Sequence, residues 1–189
     1  FFDKVSLKTL GLRVQLGHGG CACPCPTAGP PSFMVFDTSG VHAVNLDYCD
    51  CPSDNKFDRR TQLLRQGWFP ATFSRPNTVL TFDCLERFHE HTLQGKGNLY
   101  DFYHLLLRKT DNMNICDTIY RYKEIHRVFR FWRNIMSLKR AGRGHDPEGV
   151  ENTPPGSLTV ECPACPHPGR NLPENWREAG PLMYAYNFF

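Results

Sequence analysis

The cysteines constrain the fold of this chain more than any other feature, because seven of the nine lie in three tight clusters. The clusters are Cys21-Ala22-Cys23-Pro24-Cys25, Cys49-Asp50-Cys51 and Cys162-Pro163-Ala164-Cys165. Neighbours this close are poorly placed to bridge distant segments, but they can share one metal ion. The odd count and the absence of a signal-peptide pattern argue against a secreted disulfide framework. We therefore predict a reducing compartment and zinc as the cofactor.

The Cys162-x-x-Cys165 turn has the spacing of half a zinc site, in which two thiolates face one metal. The alternative is a pair of ordinary buried thiols. Cys84 and Cys116 have no cluster partner, which predicts structural roles for both.

Cys49 and Cys51 are two residues apart and point to the same side of an extended segment, so they can share a metal. The nearest further donors are Cys23, His18 and His42. One hypothesis completes the site with Cys23 and either histidine, although His42 is equally compatible with an ordinary strand position. The other hypothesis joins Cys49 and Cys51 to the 162–165 turn in one four-cysteine site.

The positive charge is concentrated in residues 121–143, which carry a net +7, whereas the whole chain carries only +3. A helix predicted over this segment places an apolar stripe on one face and Lys123, Arg127 and Arg130 on the other. This pattern indicates an anionic partner such as the DNA backbone, and the alternative is a merely solvated helix face.

The hydrophobic periodicity predicts an α+β fold, with a small zinc-stabilised β-hairpin region, a helical middle and a C-terminal Cys-x-x-Cys knuckle. We predict strands over 12–16, 32–37, 41–48 and 157–161, with the hairpin turn at 38–40. A short helix is predicted over 58–66, followed by three longer helices over 80–93, from Asn98 onward, and over 117–140. Asn98 is expected to cap its helix, and Ile135 and Met136 are expected to extend the apolar stripe of the last one.

Three regions follow from these patterns: a β-rich cysteine-cluster region over 1–57, a helical region over 58–141, and a loop with the knuckle over 142–189. No stretch approaches the ~20 apolar residues of a membrane span, so no membrane partner is expected. Both ends of the sequence are expected to be cuts through a longer protein.

The residues 89–91 (His-Glu-His) do not have the four-residue histidine spacing of a metalloprotease helix. Neither a phosphate loop nor a Gly-x-Ser-x-Gly turn is present, so the chain alone is not expected to be an enzyme.

Several motifs together resemble one family, the CxC-type cysteine cluster associated with KDZ (Kyakuja–Dileera–Zisupton) transposases. They are LGLRVQLGH (10–18), GVH (40–42), the Cys49-x-Cys51 pair, QLLRQGWFPAT (62–72), DFY (101–103), LKRAGRGHDP (138–147) and CPACPHPGRNLP (162–173). The resemblance implies zinc chelation, with metal-type residues at His18, Cys23, His42, Cys49, Cys51, Cys162 and Cys165.

The resemblance also implies a nuclear accessory domain that binds DNA, at transposon ends or at the target, for a transposase catalytic core. That core is expected downstream of this chain, so no catalytic residue is expected within 1–189, and a further Cys/His-rich segment is expected upstream. The competing hypothesis is a zinc-stabilised protein-interaction module for transposase assembly or for recruiting chromatin partners. A ubiquitin-ligase RING domain is disfavoured because repeated Cys-x-x-Cys pairs are missing.

Overall fold

A computed structural model describes residues 5–52, 58–113, 120–160, 162, 165–172 and 174–178. The chain divides into two compact units, residues 1–136 and 137–189. The described residues form two β-sheets and four α-helices, which confirms the predicted α+β class. The division into the three regions 1–57, 58–141 and 142–189 stays a prediction. Within the described ranges, no helix is both long and apolar enough to cross a membrane.

Seven short strands make up the two sheets of the first unit. They are β1 (Arg13–Gln15), β2 (Pro26–Ala28), β3 (Met34–Asp37), β4 (Gly40–Ala43), β5 (Asn45–Cys49), β6 (Trp68–Pro70) and β7 (Thr78–Thr81). The three-stranded sheet has the order β1-β5-β2, with β5 parallel to β1 and antiparallel to β2. The four-stranded sheet has the order β4-β3-β7-β6. The end of β5 therefore lies beside β2, which begins shortly after the first cysteine cluster.

The hairpin predicted around residues 38–40 is confirmed, because β3 and β4 pair antiparallel. The prediction of one strand over 41–48 is wrong, since this stretch contributes to two strands in different sheets. The break falls at Val44, which is buried and whose N–H donates a hydrogen bond to Phe33 O (3.2 Å). Pairing with distant strands, and not local periodicity, decides this division.

Four helices follow the sheets: α1 (Arg59–Arg65), α2 (Phe82–Gln94), α3 (Leu99–Thr110) and α4 (Tyr122–Arg140). The predicted cap at Asn98 is confirmed, because its side-chain oxygen accepts the N–H of Asp101 (2.8 Å). Helix α2 begins at Phe82 because Leu80 belongs to β7, and Thr81 caps the helix through the Cys84 N–H (3.2 Å). Residues 114–119, which include Cys116 and the predicted start of the last helix, lie outside the described residues.

The four-stranded sheet carries a hydrophobic core on each face, because neighbouring residues of β3 and β7 alternate between the two. Phe36 and Leu80 belong to the core that includes α2, α3 and α4. Val35 and Val79 belong to a smaller core with the three-stranded sheet and Leu63 of α1. The region of the cysteine cluster is thus attached to the smaller core.

Helix α4 buries most of its predicted apolar stripe. Ile125, Val128, Phe129 and Trp132 are buried, and Trp132 contacts the rings of Phe69 and Phe82. The assignment of Ile135 to the buried stripe is wrong, because its side chain is 40% exposed. Ile135 lies at the margin of the stripe, about 60° around the helix from Trp132 at 100° per residue.

The described part of the second unit consists of the end of α4, two short 3-10 helices (Arg143–His145 and Trp176–Glu178) and a series of turns. Arg143 organises the first of these turns, with its guanidinium donating to Asp146, to Gly149 O (3.0 Å) and to Thr153 Oγ1 (3.1 Å). The strand predicted over 157–161 is wrong for residues 157–160, which lie in a turn, a bend and irregular backbone. The Thr159 N–H bonds the nearby Gly156 O (3.0 Å), so this backbone is satisfied locally and not by a neighbouring strand.

Candidate metal centre

Four potential metal ligands converge where β5 of the three-stranded sheet ends. They are His18, Cys23, Cys49 and Cys51, whose donor atoms all lie within 4.8 Å of one another. His18 Nε2 is 3.2 Å from Cys49 Sγ and 3.3 Å from Cys51 Sγ, and Cys23 Sγ is 3.4 Å from Cys51 Sγ. Three sulfurs and one imidazole nitrogen therefore face a common point.

Strand pairing brings the two cysteine clusters together. Cys49 is the last residue of β5, and its register partner on β2 is Pro26. The Asp50 N–H donates to Cys25 O (3.1 Å), which holds the chain after β5 beside the first cluster. Because Cys49 and Cys51 are two residues apart in this extended stretch, both sulfurs reach the same site, as the spacing predicts.

A left-handed turn after β1 delivers the histidine. Gly17, His18, Gly19 and Gly20 all have positive φ (83°, 43°, 57° and 101°). Such a run is rare outside glycine, and a non-glycine residue with this φ at a candidate site suggests a functional constraint. At Gly17 a Cβ would lie 2.8 Å from Cys49 Cβ, so a side chain there would push against the ligand strand.

Gln62 of α1 fixes the backbone of Cys49. Its Oε1 accepts the Cys49 N–H (2.8 Å), and its Nε2 donates to Cys49 O (2.8 Å). The Gln62 side chain thus pairs with Cys49 as a neighbouring strand would, and Gln62 is only 7% exposed. Periodicity at the sequence level does not identify this role, because an amide side chain on a short helix is normally solvent-facing.

The proximity of the donor atoms separates the pKa values of two thiols. Hydrogen bonds from the Cys51 backbone N–H, and then from the side chains of Cys51, Cys23 and His18, lower the pKa of Cys49 to about 7. Burial, and then the neighbouring thiols of Cys23 and Cys49, raise the pKa of Cys51 to about 12. Several thiolates this close repel one another, and a cation between them removes that repulsion.

The donor set fits a four-coordinate metal ion. With metal–sulfur distances of about 2.3 Å, tetrahedral geometry places neighbouring donors about 3.5 to 3.8 Å apart. The three separations of 3.2, 3.3 and 3.4 Å between donors lie within a few tenths of an ångström of that range. Four protein donors also complete the coordination shell, which is typical of structural and not of catalytic metal sites.

The other predicted metal residues lie outside this group of four. His42 Nε2 is 2.8 Å from Ser39 Oγ. Because the Ser39 hydroxyl donates its proton to Asp37 (2.6 Å), His42 Nε2 acts as the donor in that contact. Cys162 and Cys165 belong to the second unit, where the Cys165 N–H bonds Cys162 O (3.1 Å). The donors of the first sequence hypothesis, with His18 as the histidine, therefore lie together within the first unit, and the shared four-cysteine site stays a prediction.

The predicted basic surface is formed by α4. Lys123, Arg127 and Arg130 are exposed, on the side of the helix opposite Ile125 and Trp132. Within the described ranges, no ion pair involves these three cations, whereas Arg121 pairs with Glu124 (3.5 Å).

Comparison with known proteins finds a matching family model. The family model described as CxC2 like cysteine cluster associated with KDZ transposases matches residues 7–114. That range covers more than half of the chain and contains all four converging donors. Neither a curated protein nor a solved structure matches.

Proposed function

Because this chain belongs to the family of CxC2-like cysteine clusters associated with KDZ transposases, we propose that it is a zinc-binding accessory domain that binds DNA for a transposase. The convergence of His18, Cys23, Cys49 and Cys51 is the observation that carries this proposal. Three thiols and one imidazole from separate segments would gain little stability by lying this close together without a metal ion between them.

Zinc is the proposed metal because the donors are three thiols and one imidazole. This soft donor set suits zinc, which takes sulfur and nitrogen ligands in a tetrahedron. Zinc also has no redox chemistry, so it stays in one oxidation state in a reducing compartment. Bound there, zinc would supply folding free energy and a fixed geometry, and no open position for a reacting water. Cys162 and Cys165 are proposed as a further pair of ligands on the basis of their spacing, while His42 is no longer needed for the first site.

DNA is the proposed partner of α4. Lys123, Arg127 and Arg130 project from a helix whose opposite face is anchored in the core, so each is free to neutralise a phosphate. Such contacts position a protein on DNA without specifying its sequence. We place the domain in the nucleus, at transposon ends or at the target, beside a catalytic core supplied by another part of the full protein. The fragment alone is accordingly expected to lack nuclease and strand-transfer activity.

Metal analysis of the purified chain tests the zinc centre. We expect bound zinc that is lost in Cys23→Ser, Cys49→Ser and Cys51→Ser, since each change removes one of four ligands. Cys21→Ser is the matched control, because Cys21 is exposed and lies outside the group of four. Full zinc occupancy in all three ligand variants would refute the assignment. A separate loss of zinc in Cys162→Ser would identify the second pair as ligands.

The salt dependence of duplex binding tests the role of α4. Each phosphate contact contributes about 0.9 to the slope of log affinity against log salt, so replacing Lys123, Arg127 and Arg130 by Ala is expected to reduce the slope by up to ~2.7. The loss is expected to be similar across DNA sequences. A control variant removes three other exposed cations, Arg65, Lys96 and Arg108.

The control separates a local contact from a general effect of charge. Equal slopes for wild type and the α4 variant, with both proteins zinc-loaded, would contradict DNA contact by this helix. Affinity that is insensitive to salt and carried by apolar contacts would instead support the protein-interaction module.

A further inference from the structure

We propose that the basic face of α4, together with an exposed aromatic pair beside it, binds single-stranded DNA in preference to duplex. This inference rests on the proposed DNA-binding function and specifies the form of DNA that the surface recognises. The pair consists of Phe73, in the loop after β6, and Phe131 of α4.

The two rings form an exposed aromatic step on the protein surface. Phe73 is 47% exposed and Phe131 is 43% exposed, and their ring centroids are 6.0 Å apart with an interplanar angle of 54°. Each ring therefore retains accessible surface after contacting the other. Burial of Trp132 against Phe69 fixes α4 next to the strand that leads into the Phe73 loop, so the step is held by the core.

The cations lie on the same helix, next to the step. Arg127 is four residues before Phe131, so the two side chains are neighbours along the helix surface. Lys123 and Arg130 lie within about 60° of Arg127 around the helix axis, and the three span about 10 Å along it at 1.5 Å per residue. One strand of B-form DNA advances about 3.4 Å per nucleotide, so that length covers about three phosphates at this spacing and fewer on a more extended single strand.

Exposed aromatic faces distinguish single strands from duplex. In duplex DNA the flat faces of the bases are covered by stacking, so a ring beside the backbone gains little from them. Unpaired bases offer free faces that stack on aromatic side chains, while cations nearby follow the phosphates. Exposed aromatic rings beside exposed cations therefore match single-stranded DNA, and no base-specific readout is needed.

Binding of a fluorescein-labelled 12-nucleotide oligo(dT) and of a mixed-sequence 12-base-pair duplex to the zinc-loaded chain tests the proposal. We expect tighter binding of the single strand by wild type. Phe73→Ala with Phe131→Ala is expected to weaken single-strand binding about 5- to 150-fold, the effect of losing one stacked base, and to change duplex binding less. The control replaces two exposed leucines elsewhere, Leu10 and Leu93, by Ala.

A direct readout of stacking comes from Phe131→Trp, which keeps an aromatic ring at this position. Its fluorescence is expected to be quenched by oligo(dT) beyond any change that the wild type, with Trp68, Trp132 and Trp176, shows in the same titration. Unchanged oligo(dT) affinity in the double Ala variant, or absence of quenching, would overturn the proposal.

The remaining outcomes separate this inference from the proposed function. Equal or tighter duplex binding that depends on Lys123, Arg127 and Arg130 would overturn the single-strand preference and leave the DNA-binding role standing. Failure to bind either nucleic acid would overturn both. A monomer produced from a dimer by the double Ala variant would show that the step contacts a second copy of the chain, and would also overturn the preference.

Discussion

The histidine ligand of the proposed centre depends on backbone conformation more than on its own side chain. His18 follows Gly17 in a turn where four consecutive residues have positive φ, a region that L-residues with a side chain rarely adopt. Gly17 has a second requirement, since any Cβ there would approach Cys49 Cβ to 2.8 Å. Glycine is therefore required at position 17 for two reasons, its positive φ and the lack of space for a Cβ beside Cys49.

Gly17→Ala is expected to weaken zinc binding about 10- to 100-fold, the range found when support of a metal ligand is lost. The added methyl pushes the turn away from Cys49 and moves the imidazole of His18 out of position. Competition with a chromophoric chelator would measure this change. Gly20→Ala is the control, because Gly20 also has positive φ (101°), beyond the left-handed helical range, but a Cβ there meets nothing within 4 Å. An equal effect of both variants would show that conformational strain alone, and not the contact with Cys49, is responsible.

At the scale of elements, the site depends on three segments that meet at Cys49. Strand β5 ends there, β2 pairs alongside, and α1 contributes the side chain of Gln62. The helix has only seven residues, too few to be stable alone, so its packing and this contact hold it in place. Gln62 is therefore a positioning residue for the ligand strand.

Gln62→Ala is expected to destabilise the fold by about 1–3 kcal/mol, since it leaves the N–H and C=O of Cys49 without their partner. We expect reduced zinc affinity as well, because the strand end gains freedom. Gln62→Glu keeps the acceptor for the Cys49 N–H but loses the donor to Cys49 O, so its effect on zinc affinity is expected to be smaller than that of Ala. Gln66→Ala, on the exposed end of the same helix, is the control for both denaturant unfolding and zinc titration.

Elements specified by local chemistry could be predicted from the sequence, and those specified by distant pairing could not. The Asn98 cap and the stripe of α4 depend on residues within a few positions of one another. The division of residues 41–48 between two sheets depends on partners up to about thirty residues away. The same distinction applies to the ligands: spacing pairs Cys49 with Cys51, but only the pairing of β1, β2 and β5 selects His18 over His42.

For the whole molecule, the two cores of the first unit have different sources of stability. The larger one combines a sheet with residues from α2, α3 and α4, including Phe88, Tyr103 and Trp132. The smaller one packs the other face of the four-stranded sheet against three-residue and five-residue strands and a seven-residue helix. Such short elements bury little surface, so the metal centre is expected to supply much of the stability on that side.

Removal of the metal should consequently loosen the two sides unequally. After chelation we expect amide hydrogens of β1, β2 and β5 to lose most of their protection from exchange, while α2 and α3 keep theirs at first. The reason is that His18, Cys23, Cys49 and Cys51 link the ends of the short strands, whereas the helical core has its own apolar contacts. Hydrogen exchange followed by mass spectrometry, with and without chelator, measures both sides in one sample.

Cys49→Ser should reproduce the chelated pattern of exchange without chelator, and Cys21→Ser should not. Uniform loss of protection across the first unit would show instead that both cores unfold as one cooperative body.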